Sequence, residues 1–328
     1  MIAHGGRLRE AAARYGISLS DWLDLSTGIN PNGYPVTMPQ SSAWARLPEE
    51  EDGLLTVAAE YYGTYSLLAV SGSQAAIQAL PRLREACDVG VISPGYAEHA
   101  YGWRRAGHRV QSVTIDQIDL AVSACDVVVL IHPNNPTGDC FETEQLLGWR
   151  ARLAARGGWL IVDEAFIDAT PDKSLACFSL KPGLILLRSI GKFFGLAGAR
   201  VGFVLAETAL LRALREELGP WPLAGPSRAA AAQALADQSW QATARVRLAE
   251  QSRQLTSVLT KHGLAPTGGC ALFQWVCTPD AAVRHIQLAR HGVLTRLFDS
   301  PASLRFGLPG NDKNLIRLDR ALAKVCSV

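Results

Sequence analysis

The chain has 328 residues, 48% hydrophobic and 19% charged, with a net charge of +2. That length and apolar content suit one large domain with a smaller companion, and a nearly neutral chain with no sustained basic run has no electrostatic footprint for nucleic acid. The seven cysteines (Cys87, Cys125, Cys140, Cys177, Cys270, Cys277 and Cys326) are odd in number, scattered and without a Cys-x-x-Cys pair, which argues against a disulfide framework or a zinc site.

The first ten residues, Met-Ile-Ala-His-Gly-Gly-Arg-Leu-Arg-Glu, contain no apolar signal core, and no segment approaches the roughly eighteen apolar residues of a bilayer span. A cytoplasmic protein without a membrane partner is expected. Further on, Ser71-Gly72-Ser73-Gln74 leads into a helix-like run, Ala75–Leu80. Short β-branched runs follow at Val89–Ile92, Val110–Val113, Val127–Ile131, Leu160–Val162, Leu184–Leu187 and Val201–Leu205, separated by amphipathic stretches such as Glu142–Arg156. This alternation predicts a mostly parallel sheet covered on both faces, an α/β core. After Gly219-Pro-Trp-Pro222, an Ala-, Gln- and Arg-rich stretch from Ser227 to His262 predicts one extended helix linking two domains. The tail predicts a small α+β domain: a strand at Ala271–Val276, a helix at Pro279–Arg290, strands at Val293–Arg296 and Leu304–Leu308, and a closing helix to about Val325. The expected organisation is an N-terminal arm over 1–40, a large domain over 41–220, and a linking helix with a small domain over 221–328.

The candidate chemistry gathers after the strands. Lys192 lies in Ser189-Ile-Gly-Lys-Phe-Phe-Gly-Leu-Ala-Gly-Ala-Arg200, a setting that suits a Schiff-base lysine with phosphate-holding groups, Ser189 and Arg200, beside it. Apolar neighbours would lower its amine pKa and leave more of the nucleophilic free base. Asp163 ends an apolar strand, where ligands of open α/β sheets gather, and a carboxylate there can pair with a pyridine nitrogen; it can equally cap a loop or bind magnesium. His132-Pro-Asn-Asn-Pro-Thr-Gly138 reads as a turn by composition, and Asn135 within it can donate to a phenolic oxygen. Gly72, Ser73 and Gln74 offer amides and a hydroxyl to an anion, or simply form an N-cap. Tyr96 stacks on a cofactor ring, or is an ordinary core or surface tyrosine. Arg305 interrupts an apolar strand, as a bidentate carboxylate grip or as a solvent-facing edge residue. The seven histidines form no His-x-x-x-His cluster, so no metal is expected.

With these residues in place, the chain resembles the fold-type-I pyridoxal phosphate (PLP) enzymes of the histidinol-phosphate aminotransferase group. Within that group it is similar to the threonine-phosphate decarboxylase branch that serves cobalamin biosynthesis by the aerobic route. The likeness runs nearly end to end, through His4-Gly-Gly-Arg-Leu-Arg-Glu, Asp24-Leu-Ser-Thr-Gly-Ile-Asn-Pro31, Arg46-Leu-Pro, Asp163-Glu-Ala-Phe, Arg188-Ser-Ile-Gly-Lys and Gly219-Pro-Trp. It implies a large domain with a mostly parallel sheet plus a small α+β domain, a homodimer, and PLP held by Gly72, Ser73, Gln74, Tyr96, Asn135, Asp163, Ser189, Lys192 and Arg200. It also implies a phosphorylated amino-acid substrate met by His4, Gly5, Gly28, Asn135 and Arg305, with Lys192 as the catalytic residue.

Three positions depart from the pattern. Phe166 stands where many relatives have a tyrosine hydroxyl, Leu47 replaces the tyrosine of an Arg-Tyr-Pro motif that reaches across the dimer, and Gly28 stands where related decarboxylases carry asparagine. The cofactor motifs do not separate a decarboxylase from an aminotransferase of the histidinol-phosphate type; the His4 arm favours the former. A non-catalytic binding protein on the same fold fits poorly with Lys192, Asp163, Asn135 and Arg200 occurring together.

Overall fold

The computed structural model describes residues 4–326, so the first three residues of the expected arm lie outside the described part. The chain divides into two compact units, one of residues 1–33, 136–139 and 242–328, the other of residues 34–135 and 140–241. The sequence-derived limits were 40/41 and 220/221. The first strand, β1 (Leu23–Asp24), belongs to the smaller unit. Next come β2 (Leu67–Val70), β3 (Asp88–Ile92), β4 (Arg109–Val113), β5 (Val127–Ile131), β6 (Trp159–Asp163), β7 (Leu184–Ser189) and β8 (Gly202–Leu205) of the larger unit. The smaller unit resumes with β9 (Gly268–Cys270), β10 (Phe273–Cys277), β11 (Val293–Leu294), β12 (Arg296–Asp299) and β13 (Ala302–Gly307).

In the larger unit the order is β2-β8-β7-β6-β5-β3-β4, and only β8 runs against its neighbours. All five residues of β5 are buried, as are all six of β7, which is why these strands read as unbroken apolar runs. One face of the sheet packs Val127, Val129, Ile161, Ile185 and Leu187 with Ile77 and Trp103 from helices 73–79 and 98–105. After β4 the chain returns to the opposite side of β3 to form β5. That reversal opens a crevice at the carboxyl ends of the two strands, the usual ligand position in such sheets.

The smaller unit holds a four-stranded antiparallel sheet, β12-β13-β10-β9, and a parallel pair, β1 with β11. The arm helix Leu8–Tyr15 buries Ala11 against Trp22, Ala289 and Leu294.

Three expectations need correction. The stretch 227–262 forms two helices, Gly225–Ala236 and Gln238–Lys261. Between them Asp237 leaves helical geometry and accepts the Trp240 amide at 2.9 Å, an N-cap that starts the second helix. The run 293–296 is split at Thr295 between β11 and β12, and the strand expected at 271–276 is β10, which starts two residues later at Phe273 and pairs with β9 just before it.

Candidate active site

In the larger unit the candidate cofactor residues share one edge of the sheet. Gly72, Ser73 and Gln74 follow β2, Tyr96 follows β3, Asn135 follows β5, Asp163 ends β6, Ser189 ends β7 with Lys192 in the loop beyond, and Arg200 precedes the reversed β8. Register ties them together: Ile131 pairs with Asp163, Asp163 with Leu187, and Ser189 with Gly202.

Asp163 is 4% exposed, and both carboxylate oxygens are engaged. Oδ1 accepts the Ala165 amide at 3.0 Å, and Oδ2 lies 2.9 Å from His99 Nε2. A buried carboxylate needs such hydrogen-bond partners. His99 is itself buried in helix 98–105, edge-on to Tyr96 at 6.1 Å. The Tyr96 hydroxyl donates to Gln74 Oε1 at 3.1 Å, and Gln74 Nε2 donates to Glu98 at 3.0 Å. Burial, above all, pushes the Tyr96 phenol up to about 12, so it is a neutral aromatic face at working pH.

Lys192 is half-buried, and aromatic packing fixes its loop. Phe193 and Phe194 are fully buried and meet the Trp240 ring at 5.6 and 5.7 Å. The Lys192 carbonyl accepts the Gly195 amide at 3.2 Å, and Nζ lies 5.5 Å from the centroid of the Phe166 ring.

PLP asks for an amine at its aldehyde, an acceptor at its ring nitrogen and a cationic or amide-lined cradle for its phosphate. Lys192 and Asp163 could supply the first two, and the absence of two side chains makes room for the third. Gly72 sits at φ 68°, ψ 157°, and a Cβ there would lie 2.9 Å from Arg200 Nη2. A Cβ on Gly202 would lie 2.5 Å from the Ser73 amide nitrogen. The two glycines thus let Arg200 approach the Gly72 backbone and the Ser73 amide approach Gly202, the register partner of Ser189. The donor set fits the cofactor.

Behind this edge lies an ion cluster. Arg188, 2% exposed, donates to Glu164 at 2.8 Å, to Ser174 Oγ at 2.8 Å and to Asp168. Tyr61 donates to the same Asp168 at 3.0 Å. Glu164 and Arg188 adjoin Asp163 and Ser189 in sequence, so the cluster clamps the ends of β6 and β7.

The candidate substrate residues His4, Gly5, Gly28 and Arg305 belong to the smaller unit, and Asn135 to the larger. Arg305 is 6% exposed on β13, which is flanked by β12 and β10, so the solvent-facing edge reading does not hold. Its Nη2 donates to Ser26 O at 2.8 Å and its guanidinium lies over Phe273 at 5.1 Å. Directly opposite in register stands Arg296. Burial, then the charge of Arg296, pushes Arg305 down to about 10; burial, then the charge of Arg7, also holds Arg296 below its ordinary value. Cations so placed favour an anion between them. A cavity of about 270 Å³ is lined by His4, Gly5, Arg7, Ser26, His285 and Arg296.

Sequence reasoning missed His99 and Arg296. The first reaches Asp163 from helix 98–105, 64 residues away in the chain, and no local pattern announces that contact. The second required the β12–β13 register, which a hairpin around Pro301 sets. Among the described residues no cluster could hold a metal ion, and no helix is long and apolar enough to cross a membrane.

Residues 49–322 match the family model for aminotransferase class I and II. The chain is 55% identical to a threonine-phosphate decarboxylase of Pseudomonas aeruginosa, an alignment spanning 98% of this chain and 97% of the relative. It is 42% identical to one from Sinorhizobium sp, over 99% and 98%. Among solved structures it is similar in fold to histidinol-phosphate aminotransferase from Sinorhizobium meliloti in complex with pyridoxal-5'-phosphate. That TM-score is 0.82, at 22% identity, over 99% of this chain and 95% of the other.

Proposed function

Because the chain belongs to the aminotransferase class I and II family, we propose that it is a PLP-dependent lyase that decarboxylates L-threonine O-3-phosphate. The product is (R)-1-aminopropan-2-yl phosphate, the aminopropanol unit of cobalamin biosynthesis. The observation that carries this reading is the 55% identity to a threonine-phosphate decarboxylase across nearly the whole of both chains. The paired guanidiniums of Arg296 and Arg305 support it, because this substrate carries two anionic groups.

When bound, PLP supplies an aldehyde that captures the substrate amine and a ring that accepts the electrons of the bond broken at Cα. Lys192 would hold the cofactor covalently and would supply the proton that Cα takes up. Asp163, oriented by His99, holds the proton on the ring nitrogen. Asn135 donates to the phenolic oxygen, and Tyr96 covers the ring face. Gly72, Ser73, Gln74, Ser189 and Arg200 receive the cofactor phosphate. Arg305 grips the substrate carboxylate in its fork, and Arg296, with His4 and the backbone near Gly5 and Gly28, receives the substrate phosphate. By fixing how the substrate is presented, these anion contacts would choose decarboxylation over loss of the Cα hydrogen.

The enzyme acts as a homodimer in the cytoplasm. Exposed Trp44, Leu47 and Trp221 support the dimer: the backbone of Ala43 abuts Gly225, so the segments that carry them lie near one another. The deciding experiment incubates purified holoenzyme with O-phospho-L-threonine, with and without a 2-oxo acid, and measures carbon dioxide and pyridoxamine phosphate. Carbon dioxide in molar excess over enzyme is expected. Amine-form cofactor without carbon dioxide would assign the chain to transamination.

A further inference from the structure

We infer that Ser26 is a positioning residue that couples the N-terminal arm to Arg305, so that docking of the arm aims the guanidinium that selects the scissile bond. The inference rests on the decarboxylase reading above and adds to it the device by which this chain orients the substrate carboxylate.

Ser26 is 2% exposed, and each of its polar groups has a different task. Its carbonyl accepts Arg305 Nη2 at 2.8 Å. Its hydroxyl accepts the Gly6 amide at 2.8 Å and donates to Asp24 Oδ1 at 2.6 Å, and its amide donates to that same oxygen at 2.9 Å. The Asp24 carboxylate therefore fixes the rotamer that presents the hydroxyl oxygen to the arm. The backbone on either side is held as firmly: Leu25 N donates to Leu294 O at 2.8 Å, and Gly307 N, two residues beyond Arg305, donates to Leu25 O at 2.7 Å.

The arm presses on the carbonyl that Arg305 uses. A Cβ on Gly5 would overlap the Ser26 carbonyl oxygen and crowd its carbonyl carbon at 2.9 Å. Only glycine lets the arm lie this close while the oxygen stays aimed at the guanidinium. Peptide 5–6 thus touches both sides of Ser26, the hydroxyl through a hydrogen bond and the carbonyl through van der Waals contact. His4 and Gly5 also line the 270 Å³ cavity shared with Arg296. A ligand that draws the arm inward tightens the Ser26 carbonyl on Arg305, and a carboxylate on Arg305 stabilises the docked arm in return.

Two variants separate the two halves of the device. Gly5→Ala strikes the carbonyl: in the holoenzyme, KM for O-phospho-L-threonine is expected to rise at least tenfold, with more pyridoxamine phosphate formed per carbon dioxide released. A displacement of about 1 Å in a positioning group costs on the order of 100-fold. Ser26→Ala keeps the carbonyl and removes the hydroxyl; it is expected to speed hydrogen exchange at the Gly6 amide at least tenfold, and Ser26→Thr, which restores a hydroxyl, to slow it again. A third measurement needs no variant. L-Threonine offers the carboxylate without the phosphate, and its binding to the wild-type holoenzyme is expected to slow exchange at Gly6. Wild-type KM and product ratio in folded Gly5→Ala, wild-type exchange in Ser26→Ala, or no effect of L-threonine on Gly6 would each overturn the coupling. Carbon dioxide release by the unaltered enzyme tests the decarboxylase reading separately.

Discussion

The cofactor cradle can be tested by adding one methyl group. Gly72 has φ 68° and ψ 157°, a region that only glycine occupies without strain, so Gly72→Ala costs about 1–3 kcal/mol of stability from the backbone alone. A folded domain with some 5–15 kcal/mol in hand tolerates that. The functional penalty is separate. The new Cβ would lie 2.9 Å from Arg200 Nη2, inside normal contact, and the exposed end of the arginine yields before the backbone does. A charge-assisted hydrogen bond to a phosphate contributes about 1.5–3 kcal/mol, which corresponds to a fall in cofactor affinity of roughly 10- to 150-fold. The assay is fluorescence titration of the apoenzyme with PLP, with thermal unfolding recorded beside it. Because both changes remove one interaction, the penalties of Gly72→Ala and Arg200→Ala should combine to much less than their sum. Unaltered affinity in folded Gly72→Ala, or strict additivity, would refute the assignment of Arg200 to the phosphate.

Arg188→Met leaves Glu164 and Asp168 buried without their cation, so stability should fall by about 3–5 kcal/mol in urea titrations; a loss below about 1 kcal/mol would contradict the clamp at the ends of β6 and β7. His132 and His285 are held below the ordinary histidine value of 6.5, chiefly by burial, with the charges of Arg14 and Arg296 adding to the effect at His285. The unfolded chain therefore protonates first on acidification, so their contribution is steady above about pH 6.5 and is lost as pH falls from there. His285→Gln should flatten the acid limb of the stability profile, and an unchanged slope would exclude His285 as a contributor. Phe166→Tyr restores a hydroxyl beside the Lys192 amine; the visible band of the holoenzyme should then titrate at lower pH, and an unmoved spectral titration would speak against that hydroxyl's reach.

What was legible in the sequence follows from the range of the forces involved. The α/β core could be read because β5, β6 and β7 are buried on both faces and appear as continuous apolar runs. Asp163 could be singled out as a candidate because it directly follows such a run, Asn135 because its turn begins where another run ends, and Lys192 because apolar residues flank a lone cation. The break at Asp237 had a local signal, an aspartate able to cap the second helix, but the helix-favouring composition on both sides outweighed it. The remaining features had no local signal at all. His99 meets Asp163 across 64 residues, Ser26 meets Arg305 across 279, and Arg296 faces Arg305 only because of a strand register.

This division has a chemical counterpart. Cofactor binding is assembled from strand-end residues, each placed by its own segment, so decarboxylases and aminotransferases of this fold share the motifs. The choice of bond depends on the angle at which a carboxylate is held, and on the proposed reading that angle would be set by Arg305, the Ser26 carbonyl and the glycine that presses on it, three groups distant in sequence. A reading confined to motifs therefore stops at the cofactor. If the Ser26 coupling holds, Gly5→Ala will alter the product ratio while leaving PLP affinity intact, and Gly72→Ala will lower PLP affinity while leaving the product ratio of the saturated enzyme intact. A variant pair in which both changes moved both quantities would show that the two functions are not separable in this chain.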